Sequence, residues 1–304
     1  MKHITITYSI YGNFDYDRLK TSIISVLNQE EIVPHIIVAE ENIESKVKEL
    51  LKEFPIEHVF NQASNLNEGL IQYNPGKIRN LAVRKVETEF IYLSDADIIY
   101  CNKNYFKYLL DELKGEEALI WPPSRRLIKE DVDKFINLTE LLGIDEAVKK
   151  LVFPNDYLAS FNYNVEHLKI VEHKENGRIY TTSLSTFKEY LKNENMKGLE
   201  PTFWNDVVHI GGIFTKTEMM RKVGNYTNVY LTWGYEDMDL QWKLDELFST
   251  RRLPCDKNFE VIHLDHDKGY FSKEQNRINR LLFEKRKKEG VEKAIKYDLM
   301  SQNE

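Results

Sequence analysis

Apolar and polar residues alternate from the start of the chain. Ile4, Ile6, Tyr8 and Ile10 are interleaved with Thr5, Thr7 and Ser9, a period of two that predicts a strand, and Gly12-Asn13 breaks it. The period then lengthens: Leu19, Ile23, Val26 and Leu27 recur at helical spacing. The apolar run His35 to Ala39 predicts a second strand closed by Glu40 and Glu41, followed by a polar helix over about Ile43 to Glu53 and a strand over Glu57 to Phe60. Pro75 suits the first turn of a helix carrying Leu81, Ala82 and Val86. Phe90 to Leu93 is the next strand and runs into Ser94-Asp95-Ala96-Asp97. Strands alternating with helices predict an α/β fold, a mostly parallel central sheet flanked by helices, with ligands beyond the carboxyl ends of its strands.

The middle, about Ser124 to Asp206, is less regular. Helical patterns occur near Lys129 to Leu142 and Leu184 to Asn195, with a polar stretch holding Asn162, Asn164, Asn176 and Gly177 between them. Periodicity returns as a strand-like Val207 to Phe214, a short helix near Thr217 to Val223, a helix after Gly234, a strand at Glu260 to Leu264 and a charged helix over Lys273 to Glu289. The Lys/Arg run Lys285 to Lys288 reads as a solvated face, or alternatively as a contact for anionic lipid or phosphate. There is no internal repeat and no Gly/Ser- or Pro-rich linker. The expectation is one domain over 1–304: a binding half at 1–123, an insertion at 124–206, a second half at 207–275 and a C-terminal helix at 276–304.

Composition narrows the class. Of 304 residues, 42% are hydrophobic and 12% aromatic, which excludes a disordered chain. The net charge of −7, from 49 acids and 42 bases, argues against a nucleic-acid binder. Cys101 and Cys255 lie far apart and form no metal-binding pair. No stretch approaches the ~18 apolar residues of a membrane span. The opening run lacks a signal-peptide pattern, which predicts a cytoplasmic protein, with peripheral membrane contact still compatible.

Four clusters carry chemistry. Asp95 and Asp97 follow an apolar strand, where two carboxylates can share a hard divalent cation and its phosphate oxygens; a turn or helix cap is the structural alternative. Before them, Gly76-Lys77-Ile78-Arg79-Asn80 sets two cations at a helix start, an arrangement suited to an anion and otherwise opposed by the helix dipole. Trp233-Gly234-Tyr235-Glu236-Asp237-Met238-Asp239 places three acids in a first helical turn, suited to capping or to a general base. His263 and His266, at a strand end, offer a neutral imidazole to complete a metal shell begun by the aspartates. Trp204, Phe161 and Tyr163 suit an acceptor wall or core packing equally.

In this order the features resemble a GT-A glycosyltransferase of the family 2 type: strand, Tyr11-Gly12-Asn13, helix, acidic strand end, basic helix start and Asp95-Ala96-Asp97. The Trp233 to Asp239 motif resembles the carboxyl half of β-1,4-galactosyltransferases, a half also found in bacterial chondroitin polymerases. The resemblance covers about Thr5 to Tyr100 and His209 to Gln275. It implies a GT-A fold with an acceptor-side insertion, and an inverting, metal-dependent transferase moving a hexose or N-acetylhexosamine from a UDP-sugar to a glycan hydroxyl in polysaccharide or glycoconjugate assembly. By position, Ser9, Tyr11 and Glu40 would border uracil and ribose, and Lys77, Arg79 and Ala96 would lie by the donor. Asp95 would touch the ribose or hold Mn²⁺ or Mg²⁺ through water, Asp97 would ligate it, and His263 or His266 would complete the shell. Asp237 would be the base, with Glu236 and Asp239 holding acceptor or loop, and His209, Gly211, Gly212, Trp233 and Gly234 around acceptor and transferred sugar.

The sequence departs from the pattern at Ser9-Ile10, in place of Pro-Thr, at Glu40, commonly Asp, at Tyr235, a glycine in galactosyltransferases, and at Met238, an aspartate there. Two other readings fit less well. Nucleotidyltransferases also combine a parallel sheet with metal carboxylates but open on a Gly-rich loop, and Ser9 to Asp15 holds only Gly12. A non-catalytic sugar-nucleotide-binding or scaffold protein would not need both Asp97 and Asp237.

Overall fold

The structure, a computed structural model, describes residues 1–12, 16–63, 73–127, 129–151, 170–175, 178–183, 192, 201–205, 208–254, 256–266 and 272–301. Its centre is a seven-stranded sheet. The strands are β1 (Lys2–Tyr11), β2 (Ile32–Asn42), β3 (Ile56–Gln62), β4 (Phe90–Leu93), β6 (Ala118–Ile120), β11 (Ile213–Lys216) and β12 (Thr250–Arg252). Their spatial order is β12-β6-β11-β4-β1-β2-β3. All neighbours are parallel except at β11, which runs against both β4 and β6. The carboxyl ends of the parallel strands therefore share one rim, and β11 begins there.

Helices cover both faces, so the sheet is the middle of three layers. Ile4, Ile6 and Tyr8 pack with Leu19, Ile23 and Val26 of the Tyr16–Leu27 helix and with Phe106 and Leu109 of the Tyr105–Glu112 helix. On the other face Ile37, Ile91 and Leu93 meet Ile78 and Ala82 of the Pro75–Val83 helix and Leu240 and Leu244 of the Glu236–Leu247 helix. This explains one departure from the simple reading of β1. Its polar positions Thr5 and Thr7 are also buried, because a parallel sheet is enclosed on both sides.

A three-stranded sheet, β5 (Ile98–Tyr100), β13 (Val261–Leu264) and β7 (Ser124–Leu127), flanks the rim in the order β5-β13-β7. Another joins β8 (Ile170–Glu175), β9 (Arg178–Ser183) and β10 (Pro201–Asn205). The antiparallel β8–β9 pair flanks Asn176-Gly177, a dipeptide suited to two-residue hairpins, so this part of the irregular middle is strand. The expected Leu184 to Asn195 helix, and Phe161 and Tyr163, lie outside the described residues.

Three other expectations are corrected. The polar helix at Ile43 to Glu53 is helical only from Val47, as a 3₁₀ turn (Val47–Glu49) and Leu50–Glu53. Val207 to Phe214 is not one strand: Val208 makes an isolated bridge to Pro123, Ile210 and Gly211 turn, and β11 starts at Ile213. The C-terminal helix is two, Lys273–Glu289 and Val291–Ser301, broken at Gly290. Within the first, Lys285, Lys287 and Lys288 are solvated as expected, but Arg286 is buried. Among the described residues no helix is long and apolar enough to cross a membrane.

Candidate functional site

Register brings the histidines to Asp97. β13 runs antiparallel to β5 with His263 opposite Ile98, and the Leu264 N–H donates to the Asp97 carbonyl (2.9 Å). Nε2 of His263 lies 3.3 Å and Nε2 of His266 2.9 Å from Asp97 Oδ2. One ligand atom from each residue falls within 4.8 Å of the others. Asp97 Oδ1 and His263 Nδ1 are shut off from solvent without a hydrogen-bond partner among the described residues. Burial opposes the Asp97 charge, but the His263 and His266 rings outweigh it and hold its carboxyl far below the usual range. Burial drives His263 well below its ordinary value against the pull of the Asp97 charge, so the two groups titrate together.

Arg79 organises the other half. Nη1 donates to Asp237 Oδ1 (2.8 Å) and to the Tyr226 hydroxyl (3.0 Å), while Nη2 donates to Asp95 Oδ1 (2.9 Å) and lies 3.8 Å from Glu236 Oε1. The Tyr226 hydroxyl in turn donates to Asp237 Oδ1 (3.2 Å). Burial pushes the Asp237 carboxyl up, and burial together with the Asp237 charge pushes Glu236 up to about 8. The Glu236–Asp237 pair thus holds a proton at neutral pH. On the near side of Asp95, His209 Nε2 lies 3.6 Å from Oδ2. A Cβ on Gly211 would come within 2.8 Å of the same oxygen, so that position accepts only glycine without rearrangement.

The helix carrying Glu236 and Asp237 starts from a strained residue. Tyr235 has φ +77°, in the left-handed region, at the place where the resemblance expects glycine. Gly234 before it has φ +107°, its N–H donates to Glu236 Oε2 (3.0 Å), and a Cβ there would strike the Asn276 side chain. Trp233 is 44% exposed on this loop.

The structure thus gathers Asp95, Arg79, His209, Gly211, Glu236 and Asp237 at one place on the rim, and Asp97, His263 and His266 beside them. Two of the remaining residues, Ala96 and Glu40, lie otherwise than expected. Ala96 packs into the core. Lys77 is exposed on its helix. Asp239 is fully buried and accepts from Tyr230 (2.8 Å) and Arg286 (2.7 Å), away from solvent. Glu40 is also fully buried and accepts from Tyr16, Ser45, His58 and the Lys46 N–H, so it pins the following turn instead of facing a ligand. Ser9 is half-buried, and the Tyr11 ring lies tilted against Tyr73, centroids 4.6 Å apart. Gly212 is packed against Pro122 and the Tyr92 hydroxyl. Among the described residues Tyr226 joins the candidate site although sequence reasoning missed it; Gly224-Asn225-Tyr226 carries no motif.

Glu40 makes a testable statement about stability. Burial opposes its charge, yet the hydrogen bonds from His58, Ser45, Lys46 and Tyr16 lower it from 4.5 to about 2. Its stabilisation is complete above pH ~4.5 and is lost as pH falls toward 2. Urea unfolding of wild type and Glu40→Gln should show a gap that shrinks over that window. A gap independent of pH contradicts the assignment.

Neither a protein-family model nor a curated protein matches the chain. Solved structures do. The chain is similar to S. aureus TarS 1–349, at 13% identity and TM-score 0.49, over 93% of this chain and 64% of that one. It is similar to the mannosyltransferase PcManGT from Pyrobaculum calidifontis, in complex with GDP-Man and Mn²⁺, at 12% identity and TM-score 0.46, over 91% and 60%. It is also similar to the catalytic domain of Drosophila β1,4-galactosyltransferase 7 in complex with xylobiose, at 13% identity and TM-score 0.44, over 92% and 80%. The chain spans less than two thirds of the first two.

Proposed function

We propose that the chain is a metal-dependent glycosyltransferase of the GT-A type, moving a hexose or N-acetylhexosamine from a UDP-sugar to a glycan hydroxyl with inversion. The observation that carries this reading is the meeting, on one rim, of the Asp97–His263–His266 cluster with a part-buried carboxylate, Asp237, fixed by Arg79. The cluster suits a divalent cation: Asp97 Oδ1 is a buried acceptor without a partner among the described residues, and its neighbours are imidazole nitrogens. Two nitrogen donors favour Mn²⁺ over Mg²⁺, which prefers oxygen. When bound there, such an ion neutralises charge on the departing nucleoside diphosphate.

The chain's own residues do the rest. Asp237 takes the proton of the acceptor hydroxyl. Arg79 and Tyr226 hold its Oδ1, which leaves Oδ2 for that proton. A single base suffices for one displacement, so the anomeric configuration inverts. His209 and Gly211 border Asp95 on the side where a transferred sugar would lie. The 1–304 span is read as one GT-A domain, with 124–206 on the acceptor side.

A thermal-shift screen of nucleotide sugars with and without Mn²⁺ tests this. A UDP-sugar at 100 times its Kd should stabilise wild type by about 2.7 kcal/mol, only with metal present. Asp97→Asn should abolish that metal-dependent stabilisation. Tight, metal-independent UDP binding by Asp97→Asn would overturn the site.

A further inference from the structure

Arg252 is a cation that this chemistry does not use. Its neighbour Arg251 is paired with Glu112 and Glu117. Arg252 has no such acid among the described residues: its guanidinium lies 4.2 Å from the centroid of the Trp121 ring, and its Nη1 is shut off from solvent without a hydrogen-bond partner among them. Burial pulls it below its ordinary value, with no carboxylate among the described residues to offset the cost. A half-buried guanidinium held over an indole, with a nitrogen that has no partner among the described residues, matches the chemistry by which arginine takes a carboxylate or phosphate.

The platform is built in, and it borders the site. Trp121 has φ +60°, and its Nε1 donates to Gln241 Oε1 (2.7 Å). Gln241 Nε2 donates to the Ile210 carbonyl (2.7 Å), and the Trp121 N–H to the Gly212 carbonyl (3.3 Å). Gln241 stands one helical turn after Asp237 on the Glu236–Leu247 helix. β12 runs parallel to β6, with Arg252 opposite Ile120, so Arg252 reaches the same rim as Asp95. Between β4 and β12 lie three strand spacings, about 14 Å at ~4.8 Å each.

We propose that Arg252, held by Trp121, is an anion subsite on the acceptor side of the cleft, binding the phosphate or carboxylate of an acidic acceptor glycan. The word acceptor rests on the proposed transferase function; the anion site does not. The test is a tryptophan-fluorescence titration with glycerol 3-phosphate, methyl glucuronide and neutral methyl glucoside. Wild type should respond to at least one anion, less so as salt is raised, and not to the glucoside. The stronger anion distinguishes a phosphate-bearing from a uronate-bearing acceptor. Arg252→Met should weaken that binding about tenfold or more, and Arg252→Lys, which keeps charge but not the planar fork, by less. Unchanged Mn²⁺-dependent UDP binding by both variants serves as the folding control. Equal anion binding by wild type and Arg252→Met, or equal response to anion and glucoside, overturns the inference while leaving the UDP result untouched. Anion binding without any UDP binding by wild type upholds the subsite and removes the transferase reading.

Discussion

Asp237→Asn should lower transfer about 100- to 10,000-fold while leaving Mn²⁺-dependent UDP binding unchanged. Asparagine keeps an oxygen for the Arg79 and Tyr226 hydrogen bonds at 2.8 and 3.2 Å, so the local geometry survives. It cannot take a proton, so the hydroxyl stays a poor nucleophile. The pH profile should identify the base more specifically. Burial raises the Asp237 carboxyl, so the ascending limb of kcat should lie above the ordinary carboxylate range. Arg79 opposes that rise, so Arg79→Met should move the limb to still higher pH. Glu236 holds its proton up to about 8, so Glu236→Gln, which mimics the protonated form, should leave the limb nearly in place. Full transfer by Asp237→Asn in initial-rate assays would place the base elsewhere.

What was legible in the sequence follows from range. The strand Phe90 to Leu93 running into Asp95 and Asp97 is local, so period and motif were enough to locate it. The pairing of His263 and His266 with Asp97 spans more than 160 residues, yet strand-end position pointed to it because β13 pairs beside the turn that holds Asp97. What was not legible depends on which way a charged side chain faces. Arg79 read as a cation awaiting phosphate, whereas it is already shared among Asp95, Asp237 and Tyr226. Glu40 read as a ligand contact and is turned inward onto its own turn. Arg286 sat within a Lys/Arg run, where nothing local separates the one buried position from three solvated ones.

Arg286 belongs to a buried quartet with the second large predicted effect. It donates to Asp239 Oδ2 (2.7 Å) and Asp298 Oδ2 (2.8 Å), and Lys243 donates to Asp298 Oδ2 (2.6 Å) and to the Asn225 carbonyl (2.7 Å). Asp239 and Lys243 lie on the helix that carries Asp237, and Arg286 and Asp298 on the two C-terminal helices, so two positive and two negative charges bind those three elements together. Lys243→Met would leave two buried carboxylates facing one guanidinium. Removing one partner of such a set costs about 3–5 kcal/mol, because the remaining charge is desolvated without compensation. The midpoint of thermal unfolding should fall on the order of 10 °C. Lys243→Met combined with Asp298→Asn restores neutrality, since Asp239 and Arg286 remain paired, and should recover part of the loss. The two variants therefore separate charge balance from packing: if the double variant is no more stable than Lys243→Met alone, the aliphatic stem of Lys243, and not its charge, is what joins the C-terminal helices to the helix of the candidate base.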